Sequence, residues 1–218
     1  MPTLEEVLPS GTAGDLIRRC VSALKRAYAL NIERYNEQVG DDRLTFGVAV
    51  WRNSWFLLQE ALVDLAGAET ARPDGSLVIR VGDVLLHTYK VGETETKDIN
   101  AVRIEGTATK DRIVRGNTEQ LRLFELTKLG GPSNLVLAHL GNPFDGLCAA
   151  YVGAPTNAMD GPAWEWVERI YLIPPEEVRR GAEPLPEGPI IPYSDMPLSD
   201  FNLSLTSESK IEPKPDES

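Results

Sequence analysis

Two stretches of this chain have residue types at spacings that could do chemistry. The first, Arg80-Val81-Gly82-Asp83-Val84-Leu85-Leu86-His87-Thr88-Tyr89-Lys90, places a carboxylate on a turn and an amine further along the same segment. A carboxylate so placed can hold a divalent cation, and a lysine beside it can offset charge developing on a phosphate. The second, His139-Leu140-Gly141-Asn142-Pro143-Phe144-Asp145-Gly146, sets an imidazole at a strand end and the Asp145 carboxylate in the turn that follows. The two lie close enough in sequence for the acid to tune the histidine for proton transfer.

Each stretch also has a plain structural reading. The Asp83 to Lys90 segment is similar to the acid-and-lysine arrangement of metal-dependent nucleases, and that resemblance implies hydrolysis with a further metal ligand from Glu33 or Glu37. The spacing opposes it, because His87 and Lys90 are three apart and so point to opposite faces of a strand. Without a metal the segment is a hairpin with a wet side. In the second stretch Asn-Pro and Asp-Gly are ordinary turn chemistry. Only His139 is left over.

Other signatures are missing. The chain has no glycine-rich phosphate cradle, no dinucleotide fingerprint, no His-Glu-x-x-His helix and no Gly-x-Ser-x-Gly elbow. Its two histidines exclude a multi-histidine metal site, and Cys20 and Cys148 lie far apart in apolar surroundings, as two buried thiols of a reducing compartment do. The sequence therefore predicts no metal and no cofactor.

Two further groups are candidates for binding rather than catalysis. Arg18, Arg19, Lys25 and Arg26 form two adjacent basic stripes beside the apolar face of a helix, suited to an anion or a partner, or to simple solvation balanced by acids elsewhere. Trp164 and Trp166 alternate on one strand and are expected to share a face, either packed under helices or presented as a docking patch.

The elements that must position these groups follow from periodicity. Apolar residues at Leu16, Ile17, Cys20, Val21, Leu24, Ala27, Tyr28, Ile32 and Tyr35, with Asn31 the polar exception, predict a helix over 14–38, with Thr12 and Asp15 as a capping pair and Gly40 as its left-handed end. Leu44, Val48, Trp51, Trp55, Leu58, Leu62 and Leu65 predict a second helix over 43–66 with that stripe as its core face, favoured over a strand at 44–50. The short connection makes the two an antiparallel helical hairpin. Residues 67–76 read as a loop, 77–81 and 84–91 as a β-hairpin turning at Gly82-Asp83, 101–105 as a strand and 106–116 as a loop. The pattern leaves 117–129 open between helix and strand. Segments 134–140, 147–153 and 164–173 predict a meander. The fold class is α+β: the helical hairpin packed on a mainly antiparallel sheet.

One such domain is expected over 1–175. Nine of the sixteen prolines fall from Pro174 onward, which predicts an extended strap at 176–203 and a disordered acidic tail at 204–218. No run of apolar residues is long enough to span a bilayer and Met1–Ser10 lacks a secretory pattern, so the protein is expected in the cytoplasm, away from membranes. A net charge of -11, spread over body and tail, argues against nucleic acid and toward a basic protein partner or self-association. The function predicted is that of a non-enzymatic regulatory or accessory protein, bacterial in type, with metal-dependent hydrolysis as the alternative.

Overall fold

In the computed structural model, described over residues 4–8, 11–72, 76–94, 98–127 and 134–172, a one-turn helix α1 (Leu4–Val7) leads into α2 (Ala13–Arg34) and α3 (Arg43–Leu62). The predicted strap and tail lie outside the described residues. The stripe on α2 is buried as expected, with Leu16, Cys20, Leu24, Ala27 and Tyr28 against the sheet. Asn31, its polar exception, is buried because both ends of its amide are used: Nδ2 donates to the Ala27 carbonyl at 2.6 Å and Oδ1 accepts from Asn53 of α3 at 3.1 Å. Asn31 to Asn53, Arg26 to Glu60 and Arg19 to Asp64 pair rising numbers with falling ones, so α2 and α3 are antiparallel.

Two capping expectations are corrected. Thr12 has helical backbone angles and makes no side-chain cap bond, because Asp15, its intended partner, is drawn to Arg18 and Arg19. Gly40 does adopt a left-handed conformation at φ +98°, but it closes the 3₁₀ turn Glu37–Val39 rather than α2, which stops at Arg34. Of the two acids that precede α3 and suit its cap, Asp41 and Asp42, it is Asp42 that caps it: its carboxylate accepts from the Thr45 amide while the Thr45 hydroxyl accepts from the Asp42 amide.

Six strands follow: β1 (Ala68–Ala71), β2 (Val78–Val81), β3 (Val84–Gly92), β4 (Asn134–Asn142), β5 (Gly146–Pro155) and β6 (Trp164–Leu172). They lie side by side in chain order. The β2–β3 hairpin turns on Gly82 at φ +61°, with Asp83 on the ordinary side of φ; this is the II′ arrangement that needs glycine first. Every pairing is antiparallel except β3 with β4. That parallel pair requires a crossover, which helix α4 (Ala108–Thr127) supplies.

The middle of the chain therefore departs from expectation. Residues 67–76 are not all loop, since Ala68–Ala71 makes the edge strand. Residues 101–105 form no strand: the 3₁₀ turn Ile99–Ala101 leads into a segment tied to the sheet's far end, where Asn157 bonds both the amide and the carbonyl of Ile104 and Trp164 Nε1 donates to the Val102 carbonyl. Residues 106–116 are not a loop beyond Thr107, for α4 begins at Ala108 and takes the undecided segment as helix. The polar composition of this stretch reads as a loop because the first turns of α4 bury only Ile113 within it.

The sheet is covered on both faces. The helical hairpin closes one core with Leu86, Leu135, Leu137 and Trp166; the segment after Ile99 and the first half of α4 close the other, with Val102, Ile104, Ile113, Val136, Tyr151 and Trp164. Among the described residues, no helix is long and apolar enough to cross a membrane.

Candidate functional site

The first chemical stretch does not assemble. Asp83 sits in the turn and Lys90 near the other end of β3, roughly 23 Å along the strand at about 3.3 Å per residue. His87 and Lys90 are on opposite faces, as their spacing requires. His87 is buried, 6% exposed, and burial lowers its basicity. Lys90 lies on the α3 side, its ammonium 5.9 Å from the centre of the Phe46 ring and close under Gly47. Burial holds it below lysine's ordinary range against the pull of Glu93. Among the described residues, no three histidine, cysteine or acidic side chains are placed to hold a metal.

The second stretch also comes apart. His139 is an interior residue of β4, 2% exposed, and its Nδ1 lies 2.9 Å from Tyr28 Oη of α2. Burial, with the Lys90 charge adding to it, pushes the imidazole down to about 3. It stays neutral at physiological pH, which removes it as a proton-transfer group in exchange with solvent. Asp145 belongs to the turn alone: it accepts from Asn142 Nδ2 at 2.9 Å, and its amide donates to Asn142 Oδ1 at 2.8 Å. The fold does bring Lys90 opposite His139, since the two are partners in the parallel register. Burial pushes Cys20 up to about 12, and Cys148 leans on the Glu93 and Gly146 carbonyls.

The basic stripes are spent on the hairpin itself. Arg18 pairs with Asp15; Arg19 bonds Asp15 at 3.1 Å, Asp64 at 2.6 Å and the Ala61 carbonyl at 2.8 Å; Arg26 reaches Glu60 at 3.3 Å. Lys25 lies 4.3 Å over the Tyr171 ring. Three of the four cations that sequence offers as a binding face, Arg19, Lys25 and Arg26, therefore clamp α2 to α3 and to β6, while Arg18 pairs within α2 and stays exposed.

Trp164 and Trp166 are 2% and 4% exposed, so they form core and no docking patch. They also do not share a face. The β5–β6 register slips between Ala154 and Pro155, and this bulge in β6 sends Trp164 to the α4 side and Trp166 under the helical hairpin.

What sequence reasoning missed is on α3. The predicted stripe is core only in its second half, where Trp55, Leu58, Leu62 and Leu65 are buried; in the first half Phe46 and Val50 turn inward instead and the stripe is open, with Leu44 73% exposed, Val48 45% and Trp51 40%. The second half of the same stripe is covered because Trp55 and Gln59 meet the end of β1, where Arg72 lies 5.9 Å from the Trp55 ring and Gln59 bonds Thr70 and Arg72. Periodicity reveals such a stripe but not where its cover ends. Beside it, on the other side of β3, a cleft of about 370 Å³ is lined by Tyr89, Lys90, Val91, residues 101–105 and Lys110. The chain matches no protein-family model, no curated protein and no solved structure.

Proposed function

We propose that this chain is a protein-interaction module, a regulatory or accessory protein working inside the cell, and that its binding face is the open half of α3. The observation that carries this reading is the row Leu44, Val48 and Trp51, three apolar side chains on one helical stripe left exposed beside a covered continuation of the same stripe. Solvating a tryptophan next to two aliphatic residues forgoes burial of about 25 cal/mol per Å² of apolar surface, a cost that a partner removes. The reading also draws support from the separation of Asp83 from Lys90 along β3 and from the burial that keeps His139 neutral.

The test is a Trp51→Glu variant. It should keep the circular dichroism and urea midpoint of the parent while losing capture of the partner from host extract. Equal capture by parent and variant sinks the reading.

A further inference from the structure

Two loops meet at one end of the molecule. The turn from β4 to β5 sets Phe144 against Tyr35, the residue that ends α2, with the ring centres 6.3 Å apart and the planes edge-on at 83°. This turn is firmly held. Pro143 is buried, the Asn142 side chain accepts from the Phe144 and Asp145 amides, and a methyl group on Gly146 would sit 3.2 Å from Ile32 of α2. Phe144 itself is 65% exposed. Asparagine, proline, aspartate and glycine account for the turn. Neither the turn nor the core has a use for the aromatic ring.

The connection from α2 to α3 supplies its surroundings. Val39, on the 3₁₀ turn Glu37–Val39, is 76% exposed. Glu37 accepts from the Tyr35 hydroxyl at 3.1 Å and Asp41 from the Asn36 amide at 2.9 Å, so one oxygen of each fixes the loop. Desolvation, then Glu37, Asp42 and Asp41, hold the Tyr35 hydroxyl above tyrosine's ordinary range, which puts all three carboxylates near that ring. Their charge is not answered. Asp15, Glu60, Asp64 and Glu93 are each bridged to an arginine of the helical hairpin, whereas Glu37, Asp41, Asp42 and Asp145 have no cation within 4 Å among the described residues. Residues 33–43 and 142–146 hold five acids against Arg34 and Arg43, and Arg43 is spent on Glu93. Lys90, half-buried under Gly47, feels Glu93 and not these acids.

We infer that the partner presents a basic protein segment at this end, with an arginine that stacks on Phe144 and pairs with Glu37 or Asp41. This rests on the interaction reading above and deepens it, since the open row of α3 starts at Leu44, two residues past the Asp42 cap. A guanidinium suits an exposed ring beside carboxylates better than an ammonium does, because its flat face stacks while its edge donates. Nucleic acid and anionic membranes have the wrong sign for these acids. Among the described residues no three acidic, histidine or cysteine side chains are placed to hold a metal instead. The net charge of -11 draws a basic partner in, and the unpaired acids around Phe144 fix where it lands.

The test titrates the full chain with a synthetic peptide alternating arginine and leucine at about 0.15 M salt, where charges further apart than about 8 Å are largely screened. Three variants accompany the parent. Phe144→Ser removes the ring; Glu37→Gln with Asp41→Asn removes two charges and keeps both hydrogen-bond acceptors; Glu69→Gln with Asp83→Asn removes the same charge from exposed sites on β1 and the β2–β3 turn. The first two should each weaken binding at least about threefold, the scale of an exposed cation–π contact or ion pair. The third should bind as the parent does, and a lysine–leucine peptide should bind the parent more weakly. Amide shifts on binding should centre on residues 35–42 and 144–146. No binding, equal weakening by the two double variants, indifference to Phe144→Ser, or equal affinity for the lysine peptide overturns the arginine site. If that happens while Trp51→Glu still abolishes capture of a host protein, the interaction reading stands without it; if capture too is indifferent to Trp51, both fall.

Discussion

Tyr28 Oη and His139 Nδ1 are 2.9 Å apart and fully enclosed, so that one hydrogen bond joins the middle of α2 to the middle of β4 with the rings edge-on at 85°. The bond satisfies two polar atoms that the helix–sheet interface would otherwise strand. It locates the hairpin on the sheet more sharply than the surrounding leucines, whose contacts tolerate sliding.

Replacing Tyr28 by phenylalanine therefore removes one partner and leaves the other buried. An unsatisfied buried acceptor or donor costs about 1–3 kcal/mol. Urea unfolding of Tyr28→Phe at neutral pH should show a loss in that range with an unchanged slope, and no loss would mean that the imidazole finds another partner.

Acid should act through the same histidine. Burial holds His139 at about 3 in the folded chain, with Lys90 adding to the effect, and it also holds His87 low. Unfolded histidines take up protons near pH 6.5, so between about 6.5 and 3 the unfolded chain binds more protons than the folded one and stability falls as pH falls. For His139 alone the slope approaches about 1.4 kcal/mol per pH unit well inside that window. Urea midpoints measured from pH 7.5 to 5 should decline, and His139→Gln should flatten the decline.

The tryptophans should separate by position. Trp51→Ala lies on the exposed stripe and should change stability by no more than about 0.5 kcal/mol while weakening partner capture. Trp166→Ala empties a site in the hairpin core and should cost about 3–5 kcal/mol. Equal stability losses from the two would contradict the burial of one and the exposure of the other.

Glycines offer a second internal contrast. A methyl group on Gly153 would meet the Trp166 carbonyl at 2.5 Å, and one on Gly141 would run into the Gly146 carbonyl and the Tyr28 ring, so alanine at either position should destabilise by about 1–3 kcal/mol or more. Gly47 sits inside α3 with only the Lys90 ammonium near, at 3.7 Å. Alanine there should stabilise by about 0.5–1 kcal/mol, because a helix interior favours it over glycine. Thermal unfolding of the three variants checks both signs.

The sequence by itself determined the two N-terminal helices, the Gly82-Asp83 hairpin and the final meander, since each rests on local periodicity or on a backbone preference carried by one or two residues. Even the failure of His87 and Lys90 to work together was readable from a spacing of three. Tertiary structure alone decided the rest. A one-residue bulge opposite Pro155 split Trp164 from Trp166, and a bulge carries no signal in a period-two pattern. The crossover through α4 made β3 and β4 parallel and set Lys90 beside His139, a pairing between residues far apart in the chain. Arg19 and Arg26 became clamps only because Asp64 and Glu60 came round on the second helix. The exposure of Leu44, Val48 and Trp51 depends on how far β1 reaches, and strand length at a sheet edge is set by what packs there, not by the helix that it leaves uncovered.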